Sequence, residues 1–130
     1  MNERSPVFEL KVKNRFSAAH RLQMVGHKCE NLHGHNWNVE VRVAGKELNG
    51  AGVLVDFGDI KKFVKQTMDE LDHKFLNEID AFADRQPTSE RIAVYIAENI
   101  QKSLESIEED LRVSSVTAWE SEDACATYFP

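Results

Sequence analysis

The chain has 130 residues, 42% of them hydrophobic and 29% charged, and a formal net charge of -6. That length points to a single domain, residues 1–130, able to bury a core without disulfides, and the acidic balance excludes the basic footprint of a nucleic-acid binder. No stretch approaches the ~20 apolar residues needed to cross a bilayer, and no apolar run near the start resembles a secretory signal, so a cytoplasmic protein is expected.

Phe8–Lys13 alternates apolar and polar residues, the period of a half-buried strand. The alternation breaks near Phe16–His20, and a polar stretch runs from Arg21 to Leu32. Trp37, Val39, Val41 and Val43 then alternate with Asn38, Glu40, Arg42 and Ala44. This second strand ends at Gly45 and the Asn49-Gly50 turn signal. Ile60, Phe63, Val64, Met68 and Leu71 recur at helical spacing, predicting a helix from about Asp59 to Leu71. Asp56 or Asp59 offers a carboxylate to its unpaired N–H groups. Past Pro87-Thr88-Ser89, a second helix carries Ile92, Ile96, Ile100 and Leu104 on one face. Strands at about Arg112–Glu120 and Ala124–Phe129 close the chain. The order ββααββ predicts an α+β fold, an antiparallel sheet with two helices on one face. The other face is expected to need a cover such as a second subunit.

Four of the five histidines fall between His20 and His35. His33 and His35 open the second strand two residues apart, so both imidazoles point to one side. His20 ends the first strand and can lie beside them. Three converging imidazoles leave the fourth position of a tetrahedral zinc site open, the catalytic pattern. His27 has no partner at strand spacing and reads as a loop residue. Cys29 reads equally well as a fourth ligand, a buried thiol or a thiolate activated beside a cation. Cys125, among apolar neighbours, reads as a packing residue. Asp72-His73 reads as a polar helix end in which His favours the dipole, or as a carboxylate-oriented proton shuttle. Glu120, taken alone, reads as a solvent-facing charge.

The blocks Phe16-Ser17-Ala18-Ala19-His20-Arg21-Leu22 and Cys29-Glu30-Asn31-Leu32-His33-Gly34-His35-Asn36 carry a resemblance. So do Val55-Asp56-Phe57-Gly58-Asp59, Leu71-Asp72-His73, Pro87-Thr88-Ser89-Glu90 and Ala118-Trp119-Glu120. Together, in this order, they resemble the 6-pyruvoyltetrahydropterin synthase superfamily over nearly the whole chain. The resemblance implies the tunnelling fold, with subunits in a ring that stacks as a homohexamer and active sites at subunit interfaces. It implies zinc held by His20, His33 and His35, a catalytic thiol at Cys29, and Asp72 and His73 completing the proton-transfer groups. It makes Glu120 the anchor of the pterin ring, since a carboxylate accepts two parallel bonds from neighbouring N–H donors. The three residues between Cys29 and His33 resemble the spacing of the bacterial 6-carboxytetrahydropterin synthases of queuosine biosynthesis. The animal-type pyruvoyl enzymes have a longer gap. The substrate so implied is a small pterin triphosphate, 7,8-dihydroneopterin triphosphate. Arg21, Lys28, Lys74 and Arg91 are candidate phosphate partners by position. Residues alone also admit a closed zinc scaffold or a zinc hydrolase, but neither uses Asp72-His73 and Glu120.

Overall fold

The computed structural model describes residues 8–23, 31–108 and 110–130. Two 13-residue strands, β1 (Phe8–His20) and β2 (His33–Gly45), pair antiparallel along their full length. The expected break at Phe16–His20 does not occur. Phe16, Ala18 and His20 are buried, and Ser17 and Ala19 between them are half-buried, so the alternation continues in small residues of weak polarity. Helix α1 (Phe57–Leu71) begins two residues earlier than its apolar spacing predicts, because Asp56 caps it by accepting from the Gly58 N–H at 2.7 Å. A two-residue strand, β3 (Lys74–Phe75), follows and runs parallel to β1. The sheet is therefore not wholly antiparallel. Two single turns of 3₁₀ helix, Leu76–Glu78 and Asp80–Phe82, lead to α2 (Ser89–Glu105), capped by the Thr88 hydroxyl. Strands β4 (Arg112–Trp119) and β5 (Cys125–Tyr128) complete a five-stranded sheet of order β3-β1-β2-β4-β5.

The apolar faces of both helices lie on one face of this sheet. Ile60, Val64, Met68 and Leu71 of α1 and Ile92, Ile96, Ile100 and Leu104 of α2 form one core with Phe16, Trp37, Val39 and Val41. The opposite face is polar by its own sequence. Lys11, Lys13 and Arg15 are exposed along β1. Arg42 reaches Glu40 at 2.9 Å and Glu9 at 3.4 Å, and the Thr117 and Thr127 hydroxyls pair at 2.8 Å. Such a face is compatible with water, so apolar burial does not demand the cover expected from sequence. Cys125 is exposed on the edge strand β5, because the core face there is taken by its neighbours in register. No helix among the described residues is long and apolar enough to cross a membrane.

Candidate metal and proton-transfer site

The site begins with register. His20 and His33 are the last rung of the β1–β2 ladder, and His35 stands opposite Ala18, two residues along the same face. The third strand adds the fourth group. Trp119 of β4 pairs with Asn38 of β2, and Ala118 with Val39. Glu120 therefore continues the row of Val116 and Ala118 on the core face and arrives beside the histidines. Its backbone is held by the turn into β5, where its N–H donates to the Ala124 carbonyl at 3.0 Å.

His20, His33, His35 and Glu120 each present one ligand atom, all within 4.8 Å of one another. His20 Nε2 lies 3.1 Å from His33 Nε2 and 3.3 Å from Glu120 Oε1, and His35 Nε2 lies 3.4 Å from the same oxygen. His20 is fully buried. Backbone carbonyls fix two of the tautomers: His20 Nδ1 donates to the Pro87 carbonyl at 2.9 Å, and His33 Nδ1 donates to the Asn31 carbonyl at 2.9 Å. With both Nδ1 atoms protonated, both Nε2 atoms present lone pairs to one another. Two lone pairs and a carboxylate at these separations repel unless a cation lies among them. Two zinc–nitrogen bonds of about 2.0–2.1 Å at a tetrahedral angle would place their nitrogens about 3.3 Å apart. The donor set thus fits a small divalent cation, and imidazole nitrogens favour zinc over magnesium or calcium. Beneath the cluster lies Trp37, fully buried, edge-on to the rings of His20 at 5.3 Å and His35 at 5.4 Å and stacked on Phe16 at 5.8 Å.

Asp72 and His73 form a second centre. Adjacent residues in regular structure point apart, but here the helix ends at Asp72 and His73 turns with φ of 59°, which swings its ring back. His73 Nδ1 lies 2.9 Å from Asp72 Oδ2. Asp72 Oδ1 accepts from the Ser17 N–H at 2.8 Å, and the His73 N–H donates to the Ser17 carbonyl at 2.6 Å. The Ser17 N–H, aided by His73, holds the Asp72 carboxyl below its ordinary range. The imidazole of His73 is largely exposed, with Nδ1 turned to its carboxylate. It borders an open cavity of about 520 Å³ whose walls include Ser17, Gly34, His35, Asn36 and Lys74. The pair is not part of the histidine cluster; its bonds run to Ser17. Cys29 and the phosphate candidate Lys28 lie outside the described residues, as does His27. Arg21 and Arg91 are both exposed, and Lys74 stands on the cavity rim.

The model of the family described as 6-pyruvoyl tetrahydropterin synthase matches residues 9–130. The chain belongs to this family. Over 116 residues it is 38% identical to a putative 6-carboxy-5,6,7,8-tetrahydropterin synthase of Archaeoglobus fulgidus, covering 88% of this chain and 90% of that one. Over 129 residues it is 35% identical to the 6-carboxy-5,6,7,8-tetrahydropterin synthase of Bacillus subtilis, covering 95% and 86%. The solved 6-pyruvoyl tetrahydropterin synthase of Caenorhabditis elegans superposes with a TM-score of 0.83 at 27% identity, over 99% of each chain. As a family member the chain thus has the tunnelling fold implied by its motifs.

Sequence reasoning did not reach the carbonyls of Pro87 and Asn31, the Ser17 N–H or the floor formed by Trp37. The first three are backbone groups, which carry no sequence signal. Trp37 was legible as a core residue but not as support for two imidazoles.

Proposed function

We propose that this single-domain chain is a zinc-dependent lyase. It converts 7,8-dihydroneopterin triphosphate to 6-carboxy-5,6,7,8-tetrahydropterin, acetaldehyde and triphosphate, in the cytoplasm and on the route to queuosine. The convergence of His20, His33 and His35 at the end of the β1–β2 ladder carries this reading. Family membership and the names of the two prokaryotic relatives support it.

His20, His33 and His35 would hold the zinc, which supplies a Lewis acid for side-chain hydroxyls. The chain's own groups do the rest. Glu120 accepts two bonds from the pterin's adjacent N–H donors and fixes the ring. Cys29 acts as a thiolate base that takes and returns protons at side-chain carbons. His73 is the partner acid/base, its ring held by Asp72 through Nδ1 so that Nε2 faces outward. His73 is exposed and bonded away from the cluster, which favours a site completed across a subunit boundary in a homohexamer.

Mass spectrometry of the products from zinc-loaded protein and 7,8-dihydroneopterin triphosphate tests the reading. Acetaldehyde with a carboxytetrahydropterin is expected. Likeness to the Caenorhabditis elegans enzyme favours one second reading, pyruvoyl chemistry. In that case triphosphate appears without acetaldehyde.

A further inference from the structure

Glu120 continues the core-face row of β4 and is only partly exposed, with its carboxylate turned to the imidazoles. Its Oε1 faces His20 Nε2 at 3.3 Å and His35 Nε2 at 3.4 Å, while the two nearest imidazole nitrogens are 3.1 Å apart. All three distances sit near the edge length of about 3.3 Å expected between donors of a tetrahedral zinc ion. A single proton can bridge only one such pair. One cation at the centre satisfies all of them.

We propose that Glu120 is itself the fourth ligand of the zinc in the substrate-free protein. The position left open by three histidines is then filled, and the cluster is closed at rest. The side chain of Glu120 is about a third exposed, at 34%, whereas His20 at 0% is sealed beneath it. The carboxylate, more exposed than His20 and than His35 at 23%, is thus a member of the set that an incoming ligand can reach and displace. One carboxylate cannot serve the metal and a pterin edge together, so binding the ring opens the coordination position. Only the identity of the displacing ligand rests on the functional reading above. The ligand assignment itself rests on the cluster.

The test uses zinc and cobalt alone. Zinc affinity is measured by chelator competition for the wild-type protein, Glu120→Gln, and the exposed control Glu122→Gln two residues along. Circular dichroism confirms the fold of each. Glu120→Gln is expected to weaken zinc binding at least about tenfold, the loss typical even of outer-shell changes, with Glu122→Gln unchanged. In cobalt-loaded protein, Glu120→Gln is expected to shift the visible ligand-field bands and to bind azide at lower concentration than wild type. Equal zinc affinity and superimposable cobalt spectra for wild type and Glu120→Gln would overturn the assignment of Glu120 alone. A wild-type protein that takes up no zinc would overturn the metal site as well.

Discussion

Trp37 allows a sharp test of how the proposed metal site is supported. It is fully buried, and its Nε1 has no hydrogen-bond partner among the described residues. Replacing it with alanine removes a large aromatic from a packed core and is expected to cost about 3–5 kcal/mol. Trp37→Phe is different. The smaller ring forfeits roughly 1–2 kcal/mol of burial and packing, but it also removes a buried unpaired N–H whose desolvation costs about 1–3 kcal/mol. The two terms nearly cancel, so Trp37→Phe should lie within about 1 kcal/mol of wild type. Urea unfolding of chelated protein at fixed concentration measures both. Zinc affinity separates the roles further: phenylalanine keeps a floor under His20 and His35, whereas alanine loosens both ligands and weakens binding about tenfold or more. If Trp37→Phe costs as much as Trp37→Ala, the indole N–H is bonded and the argument fails.

Three further outcomes are expected. The Asp72 carboxyl is held down in the folded chain, first by the Ser17 N–H. Its contribution is therefore present above the unfolded carboxyl range and lost as pH falls through the folded value. Asp72→Asn should flatten the acid limb of a urea-midpoint profile, and an unchanged limb would show that the carboxylate does not matter. His73 sits in the left-handed region, where a side chain costs about 1–2 kcal/mol. His73→Gly should leave stability within about 1 kcal/mol of wild type after its backbone entropy cost, while His73→Val destabilises; both should abolish acetaldehyde release, and wild-type turnover in either would remove His73 from the chemistry. Chelation should lower the melting temperature, since zinc at a hundred times its Kd contributes about 2.7 kcal/mol. Zinc should restore it and magnesium should not; a melting curve indifferent to chelator would exclude a resident ion.

Much of this was legible from residues because apolar period reports burial directly. Trp37 to Val43 alternates in strong contrasts and marked the middle of β2. Phe16 to His20 alternates among small residues, and the continuation of β1 was hidden there. The H-x-H pair could be read because two residues apart on a strand means one face. His20 needed only the neighbouring strand end. Glu120 reached the cluster through the β2–β4 register, which no local pattern encodes. The joining of Asp72 to His73 needed a positive φ, which a histidine does not announce. The two-residue β3 is too short to show any period, so the parallel pairing with β1 had no signal.

The rung His20↔His33 also marks a boundary in the chain. Up to that rung β1 and β2 are held by ladder pairing, and residues 21–32 form the covalent cassette that joins the two strands. The near end of that cassette is pinned outside the ladder. The Arg21 N–H donates to the Asn77 side-chain oxygen at 2.8 Å, the Asn77 side-chain amide donates to the Arg21 carbonyl at 2.9 Å, and the Gln23 N–H donates to the Gln86 side chain. Lengthening such a closed loop costs only about 0.6 kcal/mol per doubling. A change of length between Gln23 and Asn31 is thus expected to cost little in loop closure, while the His20↔His33 rung, held by the ladder itself, keeps its register. A scaffold of this kind could be retuned for a different side-chain chemistry by trading one loop, with its three histidines left on their rungs.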